Sequence, residues 1–389
     1  MRPWGTLVGV RPSKQLHKLL DEGKGYNEAL AFMQQHFRLS QEKFDLLWQV
    51  CLTERPFLRE SSRPKVFSVY VGIPFCPTRC LYCSFPSHSL TELNQLRESF
   101  VEKLLFEIKA TGQMTKRLQM APYTIYLGGG TPTSLIPEEL EAVIAALQEA
   151  FPGKWREFTV EAGRPDTITP GHLKILKQKG VTRISVNPQS MHAKTLKIIG
   201  RHHTVEEVYQ AVKYVREAAI PVINMDLILG LPEENAAMVA ASVRQLLNFT
   251  PENITLHIFS PKRASRYYQN QTAYSLPPDS EIFAMQKQAL ALLSPQYRPY
   301  YLYRQRNILA GLENIGLCTT GHECIYNIVM IEERHHIFGL GGGATSKIIN
   351  ADLSLTNIAT PKDVRMYMER VEELLERREK TLIKALQES

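Results

Sequence analysis

Short apolar runs alternate with amphipathic stretches through the middle of the chain. The first run, from residue 66, is VFSVYVGIP, and the later ones are PYTIYLGGG, EFTVEAG, TRISVNPQ, PVINMDLILG and NITLHIFS. Between them lie stretches with apolar residues at helical spacing, as in roughly 91–112 and PEELEAVIAALQEAF. This alternation predicts a parallel sheet covered by helices. Right-handed crossovers would curve the sheet into a full or partial barrel.

The two ends of the chain have different patterns. Residues 1–62 carry apolar residues at helical spacing, and Ser40 is the expected N-cap of LSQEKFDLLWQVCL. After about residue 276 we expect a helical LLSPQYRPYYLYRQRNILAGLENIG, a strand-like IYNIVMIEE, a Gly-rich GLGGGATSK and a charged C-terminal helix. We therefore predict an α/β protein with a helical N-terminal extension (1–62), a partial (β/α)6 TIM-like barrel (63–275) and a mixed α+β C-terminal domain on the substrate side (276–389).

Polar or glycine residues stand at the carboxyl end of each predicted strand. They are the loop at Cys76, Gly128 with Gly129 and Gly130, Glu161, Asn187 with Gln189, Asp226, and His257 with Ser260. In parallel α/β barrels the active site lies at this face. The pattern predicts one site built from the ends of all six strands.

Charge and hydropathy exclude few classes of binding partner. The formal net charge of +7 favours an anionic partner: nucleic acid, an anionic membrane or a small polycarboxylate. The basic residues are scattered, so charge alone does not choose among these partners. No apolar run approaches the roughly 20 residues that span a bilayer, and the N-terminus has no continuous apolar segment. We expect no membrane span, no signal peptide and a cytoplasmic location.

Three of the six cysteines, Cys76, Cys80 and Cys83, fall within eight residues. Thiolates suit iron–sulfur clusters, and three of them can cap three irons of a [4Fe–4S] cube, leaving the fourth iron open. A structural zinc site usually has four ligands in two separated pairs. A zinc knuckle or coincidental cysteines are the alternative. A second metal site at Cys318, His322 and Cys324 is a weaker hypothesis.

The spacing C-x3-C-x-aromatic-C, with Tyr82 as the aromatic residue, resembles the radical S-adenosylmethionine (SAM) signature. The resemblance implies that the open iron chelates the methionine part of SAM and that reduction releases a 5′-deoxyadenosyl radical. Gly128, Gly129, Gly130 and Thr131 resemble the segment that binds the methionine amino group in this superfamily.

Further SAM contacts are implied residue by residue. Glu161 matches a glutamate that contacts the methionine amine, Gln189 and Asp226 match residues that hold the ribose hydroxyls, and Arg201 matches an arginine near the SAM carboxylate. Each could instead be a strand-end cap or a surface ion pair.

A narrower resemblance, over about residues 1–350, is to the HemZ-like branch of the oxygen-independent coproporphyrinogen III oxidase family, which also has HemN and HemW relatives. It rests on YVGIPFCPTRCLYCSFPSH, GGGTPTSL, VEAGRPDTIT, RISVNPQSM, IGRHHT, MDLILGLPEE and PYYLYRQRNILAGLENIGL. It implies hydrogen abstraction from propionate side chains and their oxidative decarboxylation to vinyl groups, which converts coproporphyrinogen III to protoporphyrinogen IX. It also implies a reduced flavodoxin or ferredoxin-like electron donor, and we expect a monomer.

A tetracarboxylate substrate needs basic and hydroxyl partners. The candidates are Lys262, Arg263, Arg266, Tyr300, Tyr301, Tyr303 and Arg304, and the alternative is a solvated basic surface with aromatic packing. Tyr70 matches a tyrosine near the cluster in the HemN branch and is the catalytic candidate, or else a plain barrel residue. The segment GLGGGATS resembles one that closes the substrate side of the site, and a buried strand-to-turn is the alternative.

Three departures from relatives leave the substrate open. Gly72 stands where relatives often have His, Phe85 where HemN-type enzymes have a further cysteine, and Asn187 where relatives have glycine. The rivals are a haem-degrading methyltransferase of the anaerobilin synthase type and a HemW-like haem chaperone. A nucleic-acid-modifying enzyme is disfavoured, because no RNA-binding module is recognisable. HemZ-like chains extend further upstream, so a truncated chain and a shorter relative both stay open.

Overall fold

The computed structural model describes residues 3–83, 88–89, 93–270 and 273–388 of the chain. Its helices are α1 (Ser13–Asp21), α2 (Tyr26–Phe37), α3 (Gln41–Ser61), α4 (Arg97–Arg117), α5 (Pro137–Ala150), α6 (Pro170–Gln178), α7 (Ala193–Ile198), α8 (Val205–Glu217), α9 (Ala236–Asn248), α10 (Arg266–Gln269), α11 (Asp279–Leu293), α12 (Ile325–Glu332) and α13 (Val364–Gln387). Its strands are β1 (Val66–Ile73), β2 (Phe75–Cys76), β3 (His88–Ser89), β4 (Ala121–Gly129), β5 (Glu157–Val160), β6 (Arg183–Ser185), β7 (Val222–Leu229), β8 (Asn253–Ile258), β9 (Arg298–Tyr303), β10 (Asn314–Cys318), β11 (His336–Gly341), β12 (Thr345–Ile349) and β13 (Leu355–Ala359). Short 3-10 turns lie at Asn94–Leu96, Pro132–Ser134, Pro165–Thr167 and Leu309–Gly311.

One large mixed sheet organises the molecule, with the strand order β13-β12-β11-β1-β4-β5-β6-β7-β8-β10-β9. The six predicted strands form its parallel centre, from β1 through β4, β5, β6 and β7 to β8. Their branched apolar side chains are buried between flanking helices, as a parallel sheet requires. The predicted α/β fold with a partial barrel is confirmed.

Strands from the C-terminal part of the chain extend this parallel centre on both sides. On one side β11 pairs in parallel with β1, and on the other β10 pairs antiparallel with β8. The sheet is curved. This follows from the packing of α12 against both β4 and β9, which lie far apart in the strand order. The boundaries at residues 62 and 275 remain predictions, and the sheet itself continues across the second.

Two C-terminal segments differ from the sequence prediction. IYNIVMIEE, predicted as a strand, supplies α12 instead. The Glu157 carboxylate accepts hydrogen bonds from the N–H groups of Ile325 (2.9 Å) and Tyr326 (3.2 Å), which satisfies the start of this helix. Tertiary context therefore overrides the strand propensity of its Ile and Val residues.

The segment LLSPQYRPYYLYRQRNILAGLENIG, predicted as helical, contains the end of α11 and then forms β9 and the start of β10. Its tyrosines favour a strand. Pro299 cannot donate a backbone hydrogen bond, and it lies in β9, the last strand in the order, where only β10 pairs with it.

The N-terminal helices α1, α2 and α3 form as predicted, and the Ser40 hydroxyl accepts from the Lys43 N–H at 3.3 Å as an N-cap. These helices pack on β9 through Leu302, and Lys43 Nζ pairs with Glu313 Oε1 at 2.6 Å in a buried ion pair. None of the helices in the described ranges is both long and apolar enough to cross a membrane.

Candidate active site

The predicted cluster ligands lie on the loop that follows β1. Cys76 and Cys80 are buried, and Cys83 is partly exposed. Burial, followed by the nearness of Cys83 and Cys80, raises the pKa of the Cys76 thiol to about 11. Coordination to a metal deprotonates such a thiol and offsets this cost. The loop therefore suits a metal cluster better than free thiolates.

The number of ligands favours a cluster over a structural zinc ion at this loop. A structural zinc site usually has four protein ligands. Three thiolates can bind three irons of a [4Fe–4S] cube and leave the fourth iron open.

A glycine turn lets the end of β4 approach this loop. Gly129 has φ +104°, and a Cβ on Gly130 would lie 2.3 Å from the Phe75 carbonyl oxygen and 3.0 Å from Cys76 Sγ. The Thr131 N–H donates to the Phe75 carbonyl at 2.8 Å, and Cys76 Sγ lies 3.8 Å from Thr131 Oγ1. Only glycine permits this approach between the two segments.

Two buried arginines support the cluster loop. Arg201 donates to Tyr82 Oη from Nε (3.2 Å) and Nη2 (3.0 Å), and to the Gly163 carbonyl from Nη1 (2.7 Å). Arg164, which sequence reasoning missed, places Nη1 3.8 Å from Cys80 Sγ and 3.1 Å from Thr78 Oγ1. Its position three residues after Glu161, at the same strand end, was the available signal.

Glu161 directly follows β5 and is partly buried. Burial, followed by the charge of Asp226, raises its pKa to about 7. Tyr126 Oη donates to Glu161 Oε2 at 3.1 Å, and a Cβ on Gly128 would lie 2.8 Å from the same oxygen. A buried carboxylate in this position suits a cationic partner such as an ammonium group.

Asp226 stands next to Glu161 on the same face of the sheet. Asn224 Nδ2 donates to Asp226 Oδ1 at 2.8 Å, and His257 Nε2 lies 3.4 Å from Asp226 Oδ2. Tyr303 Oη lies 3.3 Å from His257 Nδ1. The group offers acceptors and donors suited to hydroxyl groups.

Gln189, Asn187 and Ser260 surround the same strand ends with unused polar atoms. Gln189 Oε1, Asn187 Oδ1 and Ser260 Oγ are buried without a hydrogen-bond partner. Gln189 also has φ +69°, an uncommon backbone conformation for this residue type. Buried polar atoms are nearly always partnered, so these atoms fit a polar ligand at this position.

Comparison with known proteins agrees with this geometry. The model of the radical SAM superfamily matches residues 70–246. The chain is 41% identical over 374 residues to the oxygen-independent coproporphyrinogen-III oxidase-like protein HemZ of Bacillus subtilis, covering 95% of this chain and 75% of that protein. The chain belongs to the radical SAM superfamily, within the coproporphyrinogen III oxidase-like family.

Two further relatives bear on this family. The haem chaperone HemW of Lactococcus lactis is 30% identical over 281 residues, covering 72% of this chain and 69% of HemW. The structure of Escherichia coli coproporphyrinogen III oxidase (HemN) superposes with a TM-score of 0.64 at 20% identity, covering 82% of this chain and 72% of that one. Radical SAM proteins use a [4Fe–4S] cluster and SAM, so the predicted cofactors are confirmed.

A cavity of 340 Å³ is lined by Lys262, Arg263, Arg306 and Asn307. Burial lowers the pKa of Lys262. Arg266 points elsewhere along this loop, because its Nη1 donates to the Arg79 carbonyl at 3.4 Å. Arg306 was missed by the sequence analysis, although it lies beside the candidate tyrosines in YLYRQRN.

Arg304 is not brought to the strand ends. Its guanidinium donates to the carbonyls of Leu7 (2.7 Å) and Gly311 (3.4 Å) and lies 5.5 Å from the ring centre of Trp4. It holds the N-terminal segment, which leaves its predicted substrate role without support.

The candidate tyrosines form an aromatic lining rather than a row of free hydroxyls. Tyr70 stacks against Tyr126 and Tyr326, each at 6.1 Å, and burial raises its pKa. Tyr301 stacks on Tyr303 at 6.2 Å. Tyr300 is buried with its hydroxyl unpartnered. The catalytic role of Tyr70 and the substrate role of Tyr301 remain predictions.

Of the three positions at which the sequence differs from its relatives, Gly72 and Asn187 lie within the described residues. Gly72 pairs with Gly341, and a Cβ on Gly72 would lie 2.6 Å from the Gly342 carbonyl oxygen, so a larger side chain meets the turn after β11. GLGGGATS is accordingly a buried strand-to-turn. Asn187 faces the site, whereas Phe85 lies outside the described residues.

Cys318, His322 and Cys324 do not form a three-ligand group within the described ranges. Cys324 Sγ donates to Glu157 Oε1 at 3.3 Å, and His322 Nδ1 lies 2.9 Å from Thr319 Oγ1. The second metal site predicted there gains no support.

Proposed function

We propose that the protein is an oxygen-independent coproporphyrinogen III oxidase that decarboxylates two propionates to vinyl groups and gives protoporphyrinogen IX. One observation carries the proposal. The cysteine loop, Glu161, Asp226 and the unpartnered buried atoms of Asn187, Gln189 and Ser260 converge at the carboxyl ends of the parallel strands. A basic cavity at Lys262, Arg263 and Arg306 follows strand β8 in the chain.

Each group of residues has its own task in this proposal. Cys76, Cys80 and Cys83 hold the cluster, and the cluster with SAM supplies the 5′-deoxyadenosyl radical when reduced. Glu161 holds the methionine ammonium group through its buried carboxylate. Asp226 and Gln189 hold the ribose hydroxyls.

The remaining residues position the loop and the substrate. Arg201 fixes Tyr82 and sets a positive charge beside the SAM carboxylate. Lys262, Arg263 and Arg306 pair with propionate groups that do not react, and this positions the reacting side chain. The surrounding apolar and aromatic side chains exclude water.

Three finer features are proposed with this function. The electron donor is a reduced flavodoxin or ferredoxin-like protein, the protein acts as a monomer, and it resides in the cytoplasm.

The test is anaerobic reconstitution with iron and sulfide, followed by turnover with coproporphyrinogen III and SAM under a reductant. Mass spectrometry should show loss of two carboxyl groups, together with 5′-deoxyadenosine. Cys80→Ala should abolish cluster absorbance and 5′-deoxyadenosine together, whereas Cys318→Ala, a buried cysteine outside the loop, should retain both. Turnover by the Cys80→Ala protein would refute the proposal.

A haem chaperone is the second candidate, favoured by the 30% identity to HemW. A stable haem complex without 5′-deoxyadenosine formation would support it over the oxidase. A haem-degrading methyltransferase is the third candidate. Incubation with haem tests it as well, since a methylated linear tetrapyrrole would identify such an enzyme.

A further inference from the structure

A second group of metal-ligating side chains is buried where the N-terminal helices meet α12. His17 lies on α1, Cys51 and Glu54 lie on α3, and Glu332 is the last residue of α12. All four are at most 2% exposed. None of the four belongs to the cysteine loop.

The distances among these side chains suit one ion. The ligand atoms of His17, Cys51 and Glu54 all lie within 4.8 Å of one another. His17 Nε2 lies 2.8 Å from Glu54 Oε2 and 3.7 Å from Glu332 Oε2. Tetrahedral zinc with ligands at about 2.0–2.3 Å holds their atoms about 3.3–3.6 Å apart. Small side-chain shifts would therefore complete the shell.

The hydrogen bonding of this His17 group is incomplete. His17 Nδ1, Glu54 Oε1 and Glu332 Oε2 are buried without a hydrogen-bond partner. Unpartnered buried carboxylate oxygens are costly, so the cluster lacks a partner that a cation would supply.

The basic side chains around the His17 group already have other partners. Arg55 and Arg334 both pair with Asp21 at 2.8 Å. Arg11, Lys14 and Lys347 all pair with Glu333. Within the described residues, none of these basic side chains forms a direct ion pair with Glu54 or Glu332. A divalent ion bound between the two carboxyl groups would supply that direct contact.

We propose that His17, Cys51, Glu54 and Glu332 bind one divalent ion of the zinc class. A mixed sulfur, nitrogen and oxygen set with four ligands is typical of zinc, whereas calcium and magnesium take all-oxygen shells with more ligands. The site is closed by protein ligands and is therefore structural. It clamps α1 and α3 onto α12, whose Tyr326 stacks on Tyr70 and Tyr126 inside the sheet.

The test is metal analysis of the full-length protein carrying its cluster, produced anaerobically with zinc and iron. Elemental analysis should give about one zinc per chain beside about four irons. X-ray absorption at the zinc edge should show one sulfur and three nitrogen or oxygen neighbours. Cys51→Ser should remove the sulfur neighbour, and the matched control Cys318→Ser should leave it.

Other outcomes overturn the site. Zinc absent from the purified protein and not taken up on incubation contradicts it, and so does zinc with three sulfur neighbours, which would have occupied the Cys76 loop instead. If Cys51→Ser does not fold, Glu54→Gln serves, because the amide keeps the size and the bond to His17. That variant should lose zinc to a chelator at least tenfold more readily than the Cys318→Ser protein, and equal retention refutes the proposal.

Discussion

Among single residues, Glu161 has a carboxyl pKa close to neutrality. Its ordinary pKa of 4.5 rises to about 7 in the folded protein, first through burial and then through the charge of Asp226. The folded state therefore loses stability as the pH rises from 4.5 to about 7, because the carboxyl group is ionised in the unfolded chain but still protonated in the folded one. A cationic ligand reverses this effect, since it favours the carboxylate.

SAM affinity should accordingly increase as the pH rises through about 7, by up to tenfold per unit below the pKa. Glu161→Gln, which cannot ionise, should bind SAM roughly tenfold or more weakly above that pH, since a hydrogen bond to a charged group is lost. It should also lack this component of the pH dependence. Equilibrium dialysis of both proteins at about pH 6 and pH 8 measures the SAM dissociation constant. Parallel curves for the two proteins would contradict the assignment.

Gly130 is a second residue whose identity the site requires. Gly130→Ala places a Cβ 2.3 Å from the Phe75 carbonyl oxygen and 3.0 Å from Cys76 Sγ. We expect a loss of about 1–3 kcal/mol in unfolding free energy and reduced iron content. Gly171→Ala is the matched control, because its Cβ would meet no atom closer than 3.6 Å and it lies on α6. Denaturant titration and iron analysis compare the two, and equal iron content would contradict the expectation.

At the scale of elements, helix α13 is fixed by one buried ion pair. Arg378 Nη2 donates to Glu107 Oε1 of α4 at 2.7 Å, and its Nε donates to Ser346 Oγ at 3.0 Å. Glu107 Oε2 accepts from Tyr367 Oη at 2.7 Å and from the Gly341 N–H at 2.8 Å. One carboxylate therefore joins α4, α13 and the strand that pairs with β1.

Arg378→Met should lower the unfolding free energy by about 3–5 kcal/mol, because it leaves the Glu107 carboxylate buried without a counter-charge. Arg370→Met changes an exposed arginine of the same helix, whose ion pair in the described part of the chain is with Glu373, and it should leave the unfolding midpoint unchanged. Thermal unfolding followed by circular dichroism measures both. Equal midpoints for the two variants would show that the pair does not hold α13.

At the scale of the whole molecule, the sheet joins segments from every part of the chain. β1 pairs with β11 from the C-terminal part on one side and with β4 on the other. The N-terminal extension is tied to Glu313, the residue before β10, by the Lys43–Glu313 ion pair and by the hydrogen bond from Trp4 Nε1 to Glu313 Oε2 at 2.6 Å. We therefore expect the described parts to unfold together.

Equilibrium unfolding should give one transition for all probes. Trp4 and Trp48 report on the N-terminal extension and Trp155 on the barrel by fluorescence, while circular dichroism reports on the helices as a whole. The variant Trp155→Phe keeps only the two tryptophans of the extension, and the double variant Trp4→Phe/Trp48→Phe keeps only Trp155, so the two proteins separate the two regions. A fluorescence transition of the N-terminal tryptophans at clearly lower denaturant would show that the extension is an independent unit.

The sequence alone determined the parallel centre of the sheet and the main chemistry of the site. The periodicity and number of apolar residues in a strand or helix are local properties of the sequence, so the pattern predicts the six strand–helix units. The cysteine spacing is likewise local, because three thiolates of one loop bind one cluster. The rule that parallel strands end at one face predicted a shared site, and Glu161 directly follows β5, whereas Asp226 lies within β7, three residues before its end.

Only the tertiary structure decided how the C-terminal segments complete this sheet. IYNIVMIEE is a helix because Glu157, distant in sequence, caps it, and its burial on all sides removes the amphipathic signal. Arg304 and Arg306 are two residues apart, yet one holds Leu7 and the other lines the basic cavity. The grouping of His17, Cys51, Glu54 and Glu332 is likewise non-local. Contacts between residues far apart in sequence leave no periodic pattern, so only the folded chain reveals them.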